Sequence, residues 1–258
     1  MRMSLLSLTV LTLTFFTIVS CEKSEILDET KFQKERLTEL VMPLQPGKYI
    51  TYRVDSTVFT NFGRSTEIHR YQVKHVVDAL VTDNLDRPSY RVFRYITDST
   101  ASQPWRVNGS YYITVLDDGV EVIEDNLRVV KLHTPVENGG SWPGNNHLPS
   151  DPYGSFYGFS NDDAMPSWQF FFDGDMKPSE TIQGKTYNDV YTVAEADEAT
   201  NYPNTDPTDY ASYSFAVEKY SKNIGLVYRE LILWEQQPNT PDPYKIGFGI
   251  RMWMIAHN

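Results

Sequence analysis

Apolar and polar residues alternate along most of the chain from residue 46 onward. In KYITYRVDSTVF, Ile50, Tyr52, Val54 and Val58 fall on one face, with polar residues between them. Successive side chains of a strand point to opposite faces, so this alternation predicts a half-buried strand. In KIGFGIRMWMIA the same period places five large apolar side chains on one face: Ile246, Phe248, Ile250, Met252 and Met254.

Similar stretches recur and predict about nine or ten strands in all. They are EIHRYQVKHVV, SYRVFRYI, YYITVL, VEVIE, NLRVVKL, TYNDVYTVAEA, SYSFAVEKY and GLVYRELILWE. Short links such as TNFGRS and the turn at 117–119 join many of them, whereas parallel pairing needs a long crossover. The predicted fold is therefore all-β and mainly antiparallel, either a curled open barrel or a two-layer sandwich.

Two irregular stretches, 137–176 and 197–211, interrupt this series of strands. Their Gly, Pro, Asn and Asp content is typical of loops. The first is too rich in aromatic residues for disorder, so we expect it to pack on the sheet as a cap, with a short strand at WQFFF. Four of its rings are candidate ligand-binding residues, because flat rings stack on apolar faces: Trp142, Tyr153, Tyr157 and Trp168. The alternative is that these rings cover the edge of the sheet as structural residues.

The first 20 residues have the layout of a secretory signal peptide. Arg2 is followed by an apolar run from Leu5 to Val19, which is too short for a convincing membrane span. Residues 21–45 are charged, with sparse apolar positions such as Leu37 and Leu40, and predict a tether or a short helix. Residues 46–258 are predicted to form a single β domain.

The charge excludes some partners. Removing residues 1–20 takes away one of 23 basic residues, which leaves 22 − 34 = −12. No basic cluster offsets this charge, so nucleic-acid binding is not expected.

No common catalytic motif appears, and we predict no cofactor and no metal. The five histidines lack metal-site spacing, and His75 is expected to be a hydrogen-bonded core residue. Carboxylates gather at Asp162, Asp163, Asp173 and Asp175 and keep a hydrolase as an alternative, although Asp in such loops usually forms turns.

The single cysteine follows Ile18-Val19-Ser20, and this tetrapeptide resembles the lipobox of bacterial lipoproteins. The resemblance implies that Cys21 carries the lipid and that the protein belongs to the cell envelope as an outer-membrane lipoprotein, on the periplasmic face or the cell surface. Acyl chains anchor a protein because each buried methylene contributes roughly 0.8 kcal/mol.

Three longer stretches resemble uncharacterised lipoproteins of the Bacteroidota. They are PLQPGKYITYRVDSTVFTNFG, DNLRVVKLHTPVENGGSWPGN and NIGLVYRELILWEQQP with the following GFGIRMWMIAHN. This resemblance implies location and fold and no site residue. GLVYRE also resembles strands of exported half-barrels that carry lipids.

These features favour a non-enzymatic, membrane-anchored β domain that binds an unknown protein or a hydrophobic ligand. In one version the protein is a lipid carrier with the aromatic loop as its lid. In another, its core is filled and it contacts partners through its surface. A carboxylate-dependent hydrolase is the remaining alternative.

Replacing Cys21 tests the anchor. We expect Cys21→Ser to move the protein from the membrane fraction to the soluble fraction, or to leave it attached through an uncleaved signal, which intact mass distinguishes. Ser20→Ala keeps a small residue before the cysteine and should remain lipidated. A cleaved, soluble wild-type protein without added lipid mass would contradict the prediction.

Overall fold

The computed structural model describes residues 28–159, 164–203, 206–239 and 241–258, and within them the chain forms thirteen strands and two α-helices. Cys21 and the predicted signal peptide lie outside the described residues. The helices are α1 Glu29–Glu39 and α2 Gly154–Tyr157, and a 3-10 turn spans Met165–Ser167. The first seven strands are β1 Tyr49–Thr60, β2 Ser65–Thr82, β3 Pro88–Asp98, β4 Arg106–Val115, β5 Gly119–Glu124, β6 Leu127–His133 and β7 Ser141–Trp142. The last six are β8 Phe170–Phe172, β9 Lys177–Ile182, β10 Lys185–Thr200, β11 Ala211–Ser221, β12 Gly225–Gln237 and β13 Tyr244–His257.

All strands belong to one antiparallel sheet with the order β6-β5-β4-β3-β2-β1-β13-β12-β11-β10-β8-β7. β9 pairs with β10 off this path. The N-terminal and C-terminal halves are both meanders of sequential strands, and they join where β1 pairs with β13, with Tyr52 opposite Met254. The all-β, antiparallel prediction is confirmed.

The two ends of the sheet meet, so the sheet forms a nearly closed barrel. The amide of Val130 on β6 donates to the carbonyl oxygen of Gly144, just after β7, at 2.8 Å. The indole Nε1 of Trp142 on β7 donates to the carbonyl oxygen of Val130 at 2.7 Å. Of the two predicted architectures, the structure has the curled barrel.

Irregular pairing accounts for the curvature. The register shifts at six places, among them Val77/Ala79 on β2 and Ala194/Ala196 on β10. A bulge bends its strand and increases the local twist, which allows a long sheet to close.

Helix α1 closes one end of the barrel. Leu37 is 0% exposed, and Leu40, Val41 and Met42 are buried in the same core. Gly225, at φ +102°, makes this approach possible, because a Cβ there would lie 2.6 Å from the Met42 nitrogen. The core therefore begins before residue 46, where the sequence analysis placed the start of the domain. The apolar residues cluster at the end of the helix instead of forming a stripe, so periodicity did not mark them.

Strands differ from the predictions in three further places. β10 continues through 197–200, which was expected to be loop, because Tyr213 pairs with Ala199 and extends the ladder. β7 and β9 were not predicted, and β7 lies within the stretch 137–176 that was expected to be irregular. The short strand expected at WQFFF is confirmed as β8.

Truncating Leu37 tests whether α1 is part of the core. Leu37→Ala should lower the free energy of unfolding by about 2–5 kcal/mol, because it leaves a cavity at a fully buried site. Urea unfolding of the full chain measures the change. The exposed Glu35→Ala on the same helix should change stability by less than about 0.5 kcal/mol, and equal effects of the two variants would contradict the role of α1.

Candidate functional site

The barrel encloses two adjoining cavities. The larger has a volume of about 170 Å³ and the smaller about 70 Å³. The smaller cavity lies next to Leu40 and Met42, at the end closed by α1, while the larger lies under the loop that carries α2. Two strands pass from the smaller cavity to the larger. Along β12 the lining residues are, in that order, Leu226, Arg229 and Leu231, and along β6 they are Leu132, Lys131 and Val129.

Eight charged residues line the larger cavity, and we call six of them the charged belt; the other two are Asp125 and Glu230. The belt consists of Arg94, Glu124, Lys131, Glu195, Glu218 and Arg229. Glu124, Lys131 and Arg229 line both cavities. The belt comes from six different strands, so it forms only when the sheet curls.

Glu218 and Glu195 share one lysine at the centre of the belt. Lys131 Nζ lies 2.8 Å from Glu195 Oε1 and 3.0 Å from Glu218 Oε1. Glu218 also accepts a bond from Arg229 Nε at 2.5 Å and from the Tyr220 hydroxyl. Both oxygens of Glu218 are therefore occupied, whereas among the described residues Oε2 of Glu195 has no hydrogen-bond donor.

The two buried glutamates differ in acidity. Burial raises the pKa of Glu195, and the nearby Glu218 raises it further against the opposing effect of Lys131. Burial acts on Glu218 in the same direction, but Arg229, Lys131 and the Tyr220 hydroxyl lower its pKa to about 2. Burial lowers the pKa of Lys131, but Glu195 and Glu218 outweigh it and raise that pKa overall, so this lysine stays charged.

A second ion group lies at the opening of the larger cavity. Arg94 Nη1 donates to Glu124 Oε1 at 2.5 Å, and Arg94 Nη2 donates to Asp125 Oδ1 at 2.7 Å. Asp125 keeps 45% of its side-chain surface, so it belongs to the opening and not to the interior.

Neutral polar side chains line the smaller cavity. His75 Nδ1 and the Tyr111 hydroxyl share a hydrogen bond of 3.0 Å, and the Tyr52 hydroxyl donates to the Leu226 carbonyl oxygen. Burial, followed by the charges of Arg229 and Arg94, lowers the pKa of His75 to about 3, so it is uncharged. The prediction of a hydrogen-bonded core histidine is confirmed.

Aromatic residues of the α2 loop cover the larger cavity. The ring of Tyr157 stacks on Phe248 with centroids 3.8 Å apart, and Tyr153 meets the same ring edge-on at 5.1 Å. Gly158, at φ +62°, ends α2 in a left-handed conformation and so turns the chain directly after these rings. Phe156 and Tyr157 line the cavity but are 52% and 43% exposed, so they mark its mouth.

The other aromatic candidates lie elsewhere. Trp142 is 3% exposed at the seam between β6 and β7 and packs on Phe170 and Phe172. Trp168 is 6% exposed and lines a separate crevice with Leu233. The structure thus brings Tyr153 and Tyr157 to the larger cavity and places both tryptophans outside it.

The acidic cluster is only partly described. Asp162 and Asp163 lie outside the described residues. Asp173 and Asp175 lie in the exposed turn between β8 and β9. Between them is Gly174, at φ +78°, whose amide donates a hydrogen bond to Asn138 Oδ1. The interior carboxylates, Glu195 and Glu218, were not predicted. A usable signal was present in other strands, since Arg94, Lys131 and Arg229 interrupt apolar faces.

Within the described ranges, no three His, Cys, Asp or Glu residues are arranged to hold a metal ion. No helix in those ranges has both the length and the apolar character needed to cross a bilayer.

The chain has similarity to solved structures at low sequence identity. No family model matches the chain, and no curated protein matches it. Among solved structures, a LolA superfamily protein from Nitrosomonas europaea aligns over 89% of this chain and 92% of its own, with 10% identity and a TM-score of 0.22. A putative outer membrane lipoprotein-sorting protein domain from Vibrio parahaemolyticus aligns over 89% and 90%, with 11% identity and a TM-score of 0.23. A DUF1329 family protein from Desulfovibrio piger covers 89% and 91%, with 11% identity and a TM-score of 0.22. Likeness at these TM-scores supports no statement about this chain.

Amide variants of the two buried glutamates should respond to pH with opposite sign. Glu218 has a lowered pKa, so its carboxylate stabilises the fold above its ordinary value of 4.5, and this stabilisation is lost as pH falls toward about 2. Glu218→Gln should therefore cost roughly 3–5 kcal/mol at neutral pH and progressively less in acid. Urea unfolding at several pH values measures this.

Glu195 has a raised pKa, so its ionisation opposes folding as pH rises above 4.5. Glu195→Gln removes that cost while an amide oxygen can still accept from Lys131. Its stability relative to wild type should therefore increase with pH. Parallel pH profiles for Glu195→Gln and Glu218→Gln would contradict the assigned charge states.

Proposed function

We propose that this protein is a lipid-anchored binding protein of the bacterial cell envelope that carries a small apolar or amphipathic molecule inside its barrel. The observation that carries the proposal is the larger cavity, which is covered by aromatic rings and lined on one side by Leu231, Phe248 and Ile250. Its lining also includes eight charged residues, so the cavity offers polar partners beside its apolar side.

The volume limits the ligand. A dry apolar cavity of about 150 Å³ holds a molecule such as benzene, so about 170 Å³ accommodates a single ring or a short chain. A longer chain must extend outward through the mouth between Phe156 and Tyr157. The ligand of the proposal therefore has a short apolar part inside the barrel.

The cap supports reversible binding. α2 has four residues; Tyr153 precedes it, Tyr157 is its last residue, and both rings contact Phe248. A one-turn helix with a partly exposed ring such as that of Tyr157 opens at low free-energy cost compared with the long strands beneath it. Displacement of Tyr157 from Phe248 would open the cavity without disturbing the sheet.

The proposed location rests on the sequence. The lipobox-like tetrapeptide ending at Cys21 supports an envelope lipoprotein, and the acidic composition supports neither nucleic-acid nor anionic-membrane binding beyond the anchor. An open interior also favours a carrier over the filled-core interaction module.

Two adjacent residues on β12 give a matched test. Leu231 lines the larger cavity, whereas its neighbour Ile232 points to the opposite face of the sheet. We expect Leu231→Trp to fill the cavity and to lose any bound small molecule, and Ile232→Trp to retain it. The full chain is extracted from membranes into an amphipathic polymer, so that no detergent monomer competes for the cavity, and native and denatured masses are compared.

Added octanol supplies a probe if the natural ligand is lost during extraction. Wild type and Ile232→Trp should bind octanol by calorimetry, and Leu231→Trp should bind at least tenfold more weakly. A bare native mass together with no octanol binding would contradict the proposed function. Equal binding by both tryptophan variants would place the ligand outside the cavity.

A further inference from the structure

Within the part of the chain that the structure describes, Arg229 has hydrogen-bond donors that face the cavities without an acceptor, and the buried Nε of Arg94, also in the charged belt, has no hydrogen-bond partner either. Its Nε donates to Glu218 at 2.5 Å. Its Nη1 lies 3.7 Å from Glu124 Oε2, which is beyond hydrogen-bond range, and Nη2 has no hydrogen-bond acceptor among the described residues. The side chain keeps 22% of its surface although it lies deep in the barrel, because it faces both cavities.

These two donors are held in place from behind. Glu218 is directly opposite Arg229 in the pairing of β11 with β12, and its bond to Nε fixes the plane of the guanidinium. The two terminal nitrogens then present a fixed fork, which matches the two oxygens of a carboxylate. No described residue places an acceptor within hydrogen-bond range of Nη1 or Nη2, so a ligand can supply that acceptor.

The pairing of the interior cations bears on the head group of the ligand. Arg94 is paired with Glu124, and Lys131 with Glu195 and Glu218. A ligand carboxylate would accept hydrogen bonds from the terminal nitrogens of Arg229, whereas an amine would face the guanidinium as a like charge.

Position decides where the rest of the ligand lies. Arg229 is at the junction of the cavities, and the larger one extends from it past Leu231 and Ile250 toward the mouth. The polar group therefore sits at the inner end and the apolar part points outward. Glu195 lines the same cavity; its Oε1 accepts from Lys131, so its Oε2 can donate to the bound group when protonated.

We infer that the ligand is an apolar monocarboxylate whose carboxylate accepts hydrogen bonds from Nη1 and Nη2 of Arg229, with its apolar part in the larger cavity. This inference rests on the proposed function, because it names the chemical class bound at the same site. A fatty acid and an arylalkanoic acid share this chemistry, and their relative affinities identify the source.

The test compares head groups on a constant tail. Octanoate, octanol and octylamine are titrated into the full chain in amphipathic polymer by calorimetry, followed by 3-phenylpropanoate and 3-phenylpropanol. We expect each carboxylate to bind at least tenfold more tightly than its alcohol, and octylamine to bind more weakly than octanol. These ligand comparisons use the wild-type chain and need no mutation in the belt.

A matched pair of arginine variants locates the head group. Arg229→Lys keeps the charge beside Glu218 but removes the fork, so the preference for carboxylate over alcohol should fall below threefold while octanol binding is retained. Arg91 hydrogen-bonds to Asp78, neither residue lines either cavity, and Arg91→Lys should leave the preference unchanged. Thermal unfolding of each variant verifies that it is folded.

The outcomes separate the two proposals. Equal affinity for octanoate and octanol would overturn the inference and leave the proposed function in place. A carboxylate preference that survives in Arg229→Lys would also overturn it. Absence of binding by every probe would overturn the proposed function, and the inference with it.

Discussion

The interior of this barrel is organised by the contact of Lys131 with Glu195 and Glu218. β6 stands at one end of the sheet, and β10 and β11 stand near the other, so this contact joins the two halves across the interior. An interior charge without a partner is far costlier than one that is paired and hydrogen-bonded. The contact of Lys131 with Glu195 and Glu218 therefore sets how closely β6 approaches β10 and β11 across the barrel.

The cavities follow from that constraint. Charged side chains occupy the middle of the barrel and must be kept at bonding distance from each other, so apolar side chains on either side cannot close over the same space. Space remains toward α1 and toward the aromatic loop, and each of these elements closes one end. An interior that is polar at its centre and apolar beyond it complements an amphipathic molecule better than a purely apolar or a purely polar one.

Much of this fold could be predicted because its strands alternate cleanly. Ile50, Tyr52 and Val54 are buried as their spacing predicts, and short turns between consecutive strands required antiparallel neighbours. α1 was harder, because Leu37 and Leu40 are buried only when the helix docks on the barrel, where the amide of Asn223 before β12 donates to the carbonyl oxygen of Glu39. Such contacts between residues distant in sequence leave no local pattern.

Most of the charged residues of the candidate site could not be predicted from the sequence, for a related reason. In SYSFAVEKY the large residues Tyr213, Phe215 and Val217 mark one face as apolar, yet they face outward, where Tyr202 stacks on Tyr213 at 4.5 Å, and Glu218 faces inward. Alternation shows which residues share a face, but it does not show which face is inside when the inner one carries charge. A different pattern did point to the belt: Arg229 lies between Val227 and Leu231 at the strand period, and Arg94 lies likewise between Val92 and Ile96. A single charge inside an otherwise apolar face requires an opposite charge across the barrel, and locating that partner requires the closed sheet.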